Sequence, residues 1–167
     1  MTILVGYSTT SGCTEAIASW IADELRTTGK QVDCIDLATN PDPTQYDAFV
    51  IGAGVRAGKW HGQAIRWLQT HAETLKTRPV ATYSVCLNVV PKEDRPLDWG
   101  EIDKYATMTA QQTGVPLVAH TALPGWWEPK EFGFSERIIM KALKAPEGDF
   151  RDEDATRAWA REISDSL

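Results

Sequence analysis

The chain has 167 residues, of which 43% are hydrophobic and 24% charged, and its formal net charge is −6. That length suits one well-buried domain and is short for two. The acidic balance without a long basic stripe argues against nucleic acid as a partner, and no apolar stretch approaches the length of a membrane span. The N-terminus shows no basic segment followed by a cleavable apolar one, so a cytoplasmic protein is expected. Cys13, Cys34 and Cys86 are widely separated and form no CxxC pair, which supports neither a disulfide framework nor a zinc site.

The elements follow from periodicity. Ile3 to Tyr7 is an apolar strand that stops at a cluster of small hydroxylic residues around Gly12. A helix then runs from about Glu15 to Thr28, with Ile17, Ile21 and Leu25 at four-residue spacing and Gly29 ending it. Gln31 to Leu37 is a second strand, and Ala48 to Gly54 is a continuous apolar strand of the kind buried on both faces. Gln63 to Leu75 reads as helix, Pro79 to Val85 as the fourth strand, and Ile102 to Thr113 as helix. Val115 to Ala119 is the expected fifth strand. The final helix spans roughly Asp152 to Ser166 and buries Ala155, Trp159 and Ile163.

Strands alternating with helices of this length predict βαβ units in an α/β fold. The expected architecture is a single three-layer domain over residues 1–167: a doubly wound, five-stranded parallel sheet of order 2-1-3-4-5. An insert of about thirty residues precedes its last helix, and in it Phe134, Ile138, Ile139 and Leu143 can share a helical face. Its aromatic clusters, Trp126 and Trp127 among them, suit a cap on the sheet, a substrate cleft or a contact with a second copy of the chain.

Ligands of such sheets bind beyond the carboxyl ends of the strands, where the order reverses. Three loops converge there: Ser8 to Thr14, Val55 to Gly62, and Cys86 to Trp99. The first offers the hydroxyls of Ser8, Thr9, Thr10, Ser11 and Thr14 together with the start of a helix, whose amides and dipole hold a phosphate without a lysine. The same residues also suit a plain N-cap and turn. The loop lacks both the Gly-Lys-Ser/Thr ending of a triphosphate loop and a G-x-G-x-x-G pattern, so a mononucleotide such as FMN fits it better than ATP or NAD.

In the second loop Trp60 is a candidate cover for a planar ring, and the backbone at Ala57 or Gly58 a candidate for its polar edge. Arg56, Lys59 and His61 make this loop locally basic. The two cations suit an anionic reduced ring or a carboxylated substrate, and His61 suits proton transfer. The simpler roles are solvated loop charges and a helix cap. Val55 and Arg56, with Val85, Cys86, Leu87 and Asn88 after the fourth strand, complete the expected cofactor-binding set. Glu93, Asp94 and Asp98 are candidate carboxylates or a solvated rim. Cys13 is a candidate low-pKa thiol because helix amides surround it. Neither His71 nor His120 forms a metal constellation, and Ser84 has no evident histidine–acid pair.

Thr9-x-Ser11-Gly12-x-Thr14 resembles the FMN-phosphate fingerprint of the flavodoxin family, and its position after the first strand is the same. The resemblance implies that Thr9, Thr10, Ser11, Gly12, Cys13 and Thr14 take the FMN phosphate. YDAFVIGAGVRAGKWH, TYSVCL and ERIIMK resemble the menaquinone-dependent protoporphyrinogen oxidases within that fold, over essentially the whole chain. That likeness implies an FMN-dependent oxidoreductase of protoporphyrinogen IX with a quinone acceptor, soluble or loosely held at the inner face of the membrane. On this reading His61, Arg56 and Lys59 are the catalytic set, and the Trp126/Trp127 region meets the substrate. Two further readings stay open: a flavodoxin-type electron carrier with a redox-protein partner, and a reductase of another quinone-like or small planar substrate.

Overall fold

The computed structural model describes residues 1–90, 99–131, 133–142 and 146–167, without the side chains at 99, 101, 131, 136 and 139. In chain order the elements are β1 (Thr2–Ser8), α1 (Cys13–Thr27), β2 (Gln31–Asp36), β3 (Ala48–Arg56), β4 (Lys59–Trp60), α2 (Gly62–Thr70), α3 (Ala72–Leu75) and β5 (Val80–Cys86). Then come α4 (Trp99–Thr113), β6 (Ala119–Pro124), β7 (Trp126–Trp127), α5 (Phe134–Ala142), β8 (Gly148–Asp149) and α6 (Glu153–Ser164). The parallel strands lie in the order β2-β1-β3-β5-β6, which is the expected 2-1-3-4-5 arrangement with β4 added as a short antiparallel partner of β3.

Alternation along the strands builds the three layers. Ile3 and Val5 of β1 join Ala48 and Val50 of β3 in a core against Ile17, Ile21 and Leu25 of α1 and Ala160 and Ile163 of α6. Leu4, Phe49 and Ile51 point the other way, onto Trp67 and Leu68 of α2 and Tyr105 of α4. Both faces are covered, so the strands read as unbroken apolar runs. Register places Ser8 opposite Ala53 and Gly54 opposite Val85, which brings the carboxyl ends of β1, β3 and β5 together at the reversal of strand order.

The structure departs from the sequence reading in three places. The last strand of the sheet is Ala119–Pro124, not Val115–Ala119. Pro116 has no N–H for a ladder, and the apolar run instead leads away from α4, with Val115 buried just past Gly114 (φ 68°). The helix expected over 63–75 breaks at His71, where φ is −106° and ψ is 14°. Ala155 is exposed; Thr156 and Ala160 of α6 are buried with Ile163 instead. In the insert, Phe134 and Ile138 share a face of α5, as expected, and are 80% and 55% exposed. Leu143 and the Ile139 side chain lie outside the described residues, as do Glu93, Asp94 and Asp98.

Candidate functional site

Ser8 ends β1 fully buried, and the chain turns through Gly12 into α1. Gly12 has φ 79°, in the left-handed region, and a Cβ there would meet nothing within 4 Å, so the backbone conformation alone asks for glycine. No side chain caps α1. Thr9 Oγ1 accepts from the Gly12 amide at 3.1 Å, which closes the loop on itself. The first backbone bond back to Gly12 comes from Ala16 at 3.2 Å, so the amides of Cys13, Thr14 and Glu15 precede the helix ladder. Amides at an uncapped helix start, with the hydroxyls of Thr10, Ser11 and Thr14 beside them, make a donor set for a phosphate. Thr10 is exposed, Ser11 half-buried and Thr14 buried.

The Val55–Gly62 stretch is a hairpin rather than an open loop. Val55 pairs with Trp60 and Arg56 with Lys59, around a two-residue turn in which Ala57 (φ 48°) and Gly58 (φ 73°) are both left-handed. That turn matches the twist of paired strands. Arg56 and Lys59 are exposed on it. Trp60 corrects the expectation of an open ring cover. It is only 5% exposed, belongs to the α2/α4 core, and donates from Nε1 to Ser84 Oγ at 2.7 Å. The indole thus supports the hairpin from beneath.

His61 occupies the N-cap position of α2 but makes no side-chain cap bond. Its Nδ1 lies 2.6 Å from Ser8 Oγ, tying the hairpin to the end of β1. Burial, followed by the charges of Arg56 and Arg66, pushes its pKa below the ordinary histidine value, so the ring is neutral at pH 7. At the end of β5, Val85 and Cys86 are buried, Leu87 is half-buried and Asn88 exposed. Val85 and Cys86 pack into the cores on opposite faces of the sheet, so that Leu87 and Asn88 are the residues of this set that reach the strand-end rim.

Two further groups enter the site's support: His120, given no role from the sequence, and Trp126, expected there to meet the substrate. His120, inside β6 rather than at its end, sets Nδ1 2.6 Å from Thr82 Oγ1 and Nε2 3.4 Å from Ser84 Oγ. Burial pushes its pKa down to about 4. Ser84 therefore has a histidine partner, in a buried chain leading to Trp60. Trp126 lies on the 8–14 loop, with Nε1 3.3 Å from Ser11 Oγ. Cys13 is 5% exposed and burial raises its thiol pKa, outweighing the lowering by the Trp126 amide and Arg151; the low-pKa expectation is corrected. No spacing in the sequence signals the Ser11–Trp126 contact, which spans 115 positions.

The family model described as "Flavodoxin domain" matches residues 4–154. Over 98% of this chain and 95% of the relative, the sequence is 37% identical to protoporphyrinogen IX dehydrogenase (quinone) of Escherichia coli strain K12. Among solved structures, oxidised flavodoxin 1 of Bacillus cereus superposes with a TM-score of 0.62 at 16% identity, covering 100% of this chain and 99% of that one. Flavodoxin 2 of the same organism gives 0.61 at 18% identity with complete coverage of both. These distant structures share the fold, and the strand order of the sheet agrees with it. The chain belongs to the flavodoxin-domain family, whose fold and oxidoreductase relatives imply FMN as its cofactor.

Proposed function

We propose that this chain is an FMN-dependent oxidoreductase that oxidises protoporphyrinogen IX and passes the electrons to a quinone. The observation that carries the reading is the 37% identity, nearly end to end, with a quinone-linked protoporphyrinogen IX dehydrogenase. The donor chemistry of the site supports it: an uncapped helix start and convergent hydroxyls suit a phosphate-terminated cofactor. Thr9, Thr10, Ser11, Gly12, Cys13 and Thr14 would hold the FMN phosphate. The Ala57–Gly58 backbone with Val55, and Leu87 and Asn88 across the strand ends, would frame the ring. FMN supplies the electron acceptance that no amino-acid side chain provides.

The rest is positioning and charge. Arg56 and Lys59 project from a hairpin whose turn geometry is fixed, so their charge stands beside the switch point of an otherwise acidic protein. They attract a carboxylated substrate and favour negative charge on a reduced ring. His61 is neutral and anchored through Nδ1 by Ser8, leaving Nε2 as the atom at which it holds or passes a proton. Phe134 and Ile138, exposed on one face of α5 with Lys141 on the same helix, suit a seat at a membrane surface, where a lipid-soluble quinone is met. No helix among the described residues is long and apolar enough to cross a membrane.

The test is an anaerobic addition of protoporphyrinogen IX to the FMN-loaded protein. The flavin absorbance should bleach and recover when menaquinone is added. Bleaching by a reduced redox protein but not by protoporphyrinogen would replace this reading with electron carriage.

A further inference from the structure

The insert between β6 and α6 folds back onto the phosphate loop through a small, well-specified set of contacts. β7 and β8 pair antiparallel, Trp126 with Asp149 and Trp127 with Gly148. Trp127 turns inward at 3% exposure, which leaves Trp126 on the opposite side of the extended segment, against the loop. Its backbone amide lies beside the Cys13 thiol, and its indole N–H donates to Ser11 Oγ. Close approach is possible because residue 125 is glycine: a Cβ there would lie 3.0 Å from Val85 Cγ1 and 3.4 Å from Cys13 Sγ.

Arg151 completes the arrangement. Its guanidinium lies 4.5 Å from the centre of the Trp126 ring and 5.6 Å from that of Trp20 on α1. Asp149 grips the same guanidinium with both carboxylate oxygens, at 2.8 Å and 2.5 Å. The indole is thereby fixed in plane by a cation that is itself fixed by a paired strand.

We propose that the β7–β8 hairpin is a clasp on the phosphate loop, in which Trp126 orients the Ser11 hydroxyl toward the FMN phosphate and Arg151 holds the indole in place. The polarity of the hydrogen bond makes the argument. An indole N–H only donates, so Ser11 Oγ must accept from it, and the single Ser11 proton is left to donate elsewhere. A phosphate oxygen beside the loop is the acceptor that this proton suits, and a hydrogen bond to a charged group is stronger than one to water or a neutral group. Trp126 is thus a positioning residue for the cofactor, and the insert's first aromatic cluster serves FMN retention rather than a substrate cleft. The inference rests on FMN lying in the 8–14 loop.

The experiment compares FMN with riboflavin, which differs by the phosphate alone, in titrations of flavin-free protein followed by flavin fluorescence. Trp126→Phe keeps an aromatic face for Arg151 and removes the N–H. It should bind FMN about tenfold more weakly and riboflavin as the wild type does. In a Ser11→Ala background the same substitution should have no further effect, because the indole acts through that hydroxyl. Arg151→Leu, which removes the cation from the ring, should produce the same FMN-selective loss at about threefold. Unchanged FMN affinity in Trp126→Phe, or equal losses for both flavins, would overturn the clasp. A wild-type chain that binds neither flavin would overturn the cofactor assignment itself, and the clasp with it.

Discussion

Gly52→Ala should destabilise the fold by about 3 kcal/mol, at the upper end of the usual cost of overpacking. Gly52 pairs directly with Tyr83 across β3 and β5, and the tyrosine ring lies over the glycine Cα. A Cβ at this position would stand 1.8 Å from Tyr83 Cζ and 2.1 and 2.3 Å from the two Cε atoms. The ring has nowhere to go: Tyr83 is fully buried and meets Trp159 of α6 edge-on, with centroids 6.2 Å apart. Displacing it would push α6 away from the sheet. Gly12→Ala is the natural contrast, since its Cβ meets nothing within 4 Å and only the left-handed backbone opposes it, at about 1–2 kcal/mol. Urea unfolding of both variants checks the pair. A loss below about 1 kcal/mol for Gly52→Ala would mean that the ring is free to yield.

The second large effect is a pH dependence through His120. Its folded pKa is pushed down to about 4 from an ordinary 6.5, and burial is the cause. Below pH 6.5 the unfolded chain takes up a proton that the folded chain refuses. Stability is therefore undiminished by this group above pH 6.5, falls as pH drops toward 4, and levels off for this group below that. The depth is about 3 kcal/mol. His61 is shifted the same way, so a His120→Asn variant is needed to isolate the contribution: it should flatten the stability–pH slope between pH 6.5 and 4 by about one proton. Asp42, Asp149 and Glu24 are carboxylates with lowered pKa values, and their stabilising effect is lost at lower pH, below the unfolded carboxylate range. A slope unchanged in His120→Asn would show that the ring already titrates normally in the fold.

The His120 chain also shows where the sequence was readable and where it was not. β1, β3 and β5 were legible because a parallel strand covered on both faces becomes an apolar run, as in Ala48–Ile51. β6 was not, because HTALP mixes polar and apolar residues. His120 and Thr121 are tolerated in the sheet since His120 bonds to Thr82 and Ser84 on the neighbouring strand. The Ser8–Thr14 turn was legible because its signals are local: strand end, hydroxyls, glycine and helix start are consecutive. The hairpin was hidden by Ala57, a residue that seldom adopts φ 48° and so gives no turn signal. Trp60 and Trp126 were visible as unusual aromatics, but their partners Ser84 and Ser11 are fixed only by the packing of distant segments. Aromatic residues near a presumed site read as ring covers or substrate contacts until such partners are known.

The most direct measurement is a titration of the flavin-free wild-type protein with FMN, followed by flavin fluorescence and compared with a Gly12→Val variant. Saturation at one FMN per chain, with clearly weaker binding in the variant whose branched side chain is strained at φ 79°, is the expected result. Absence of saturable binding, or binding indifferent to Gly12, would contradict the assignment of the 8–14 loop as the cofactor's phosphate site.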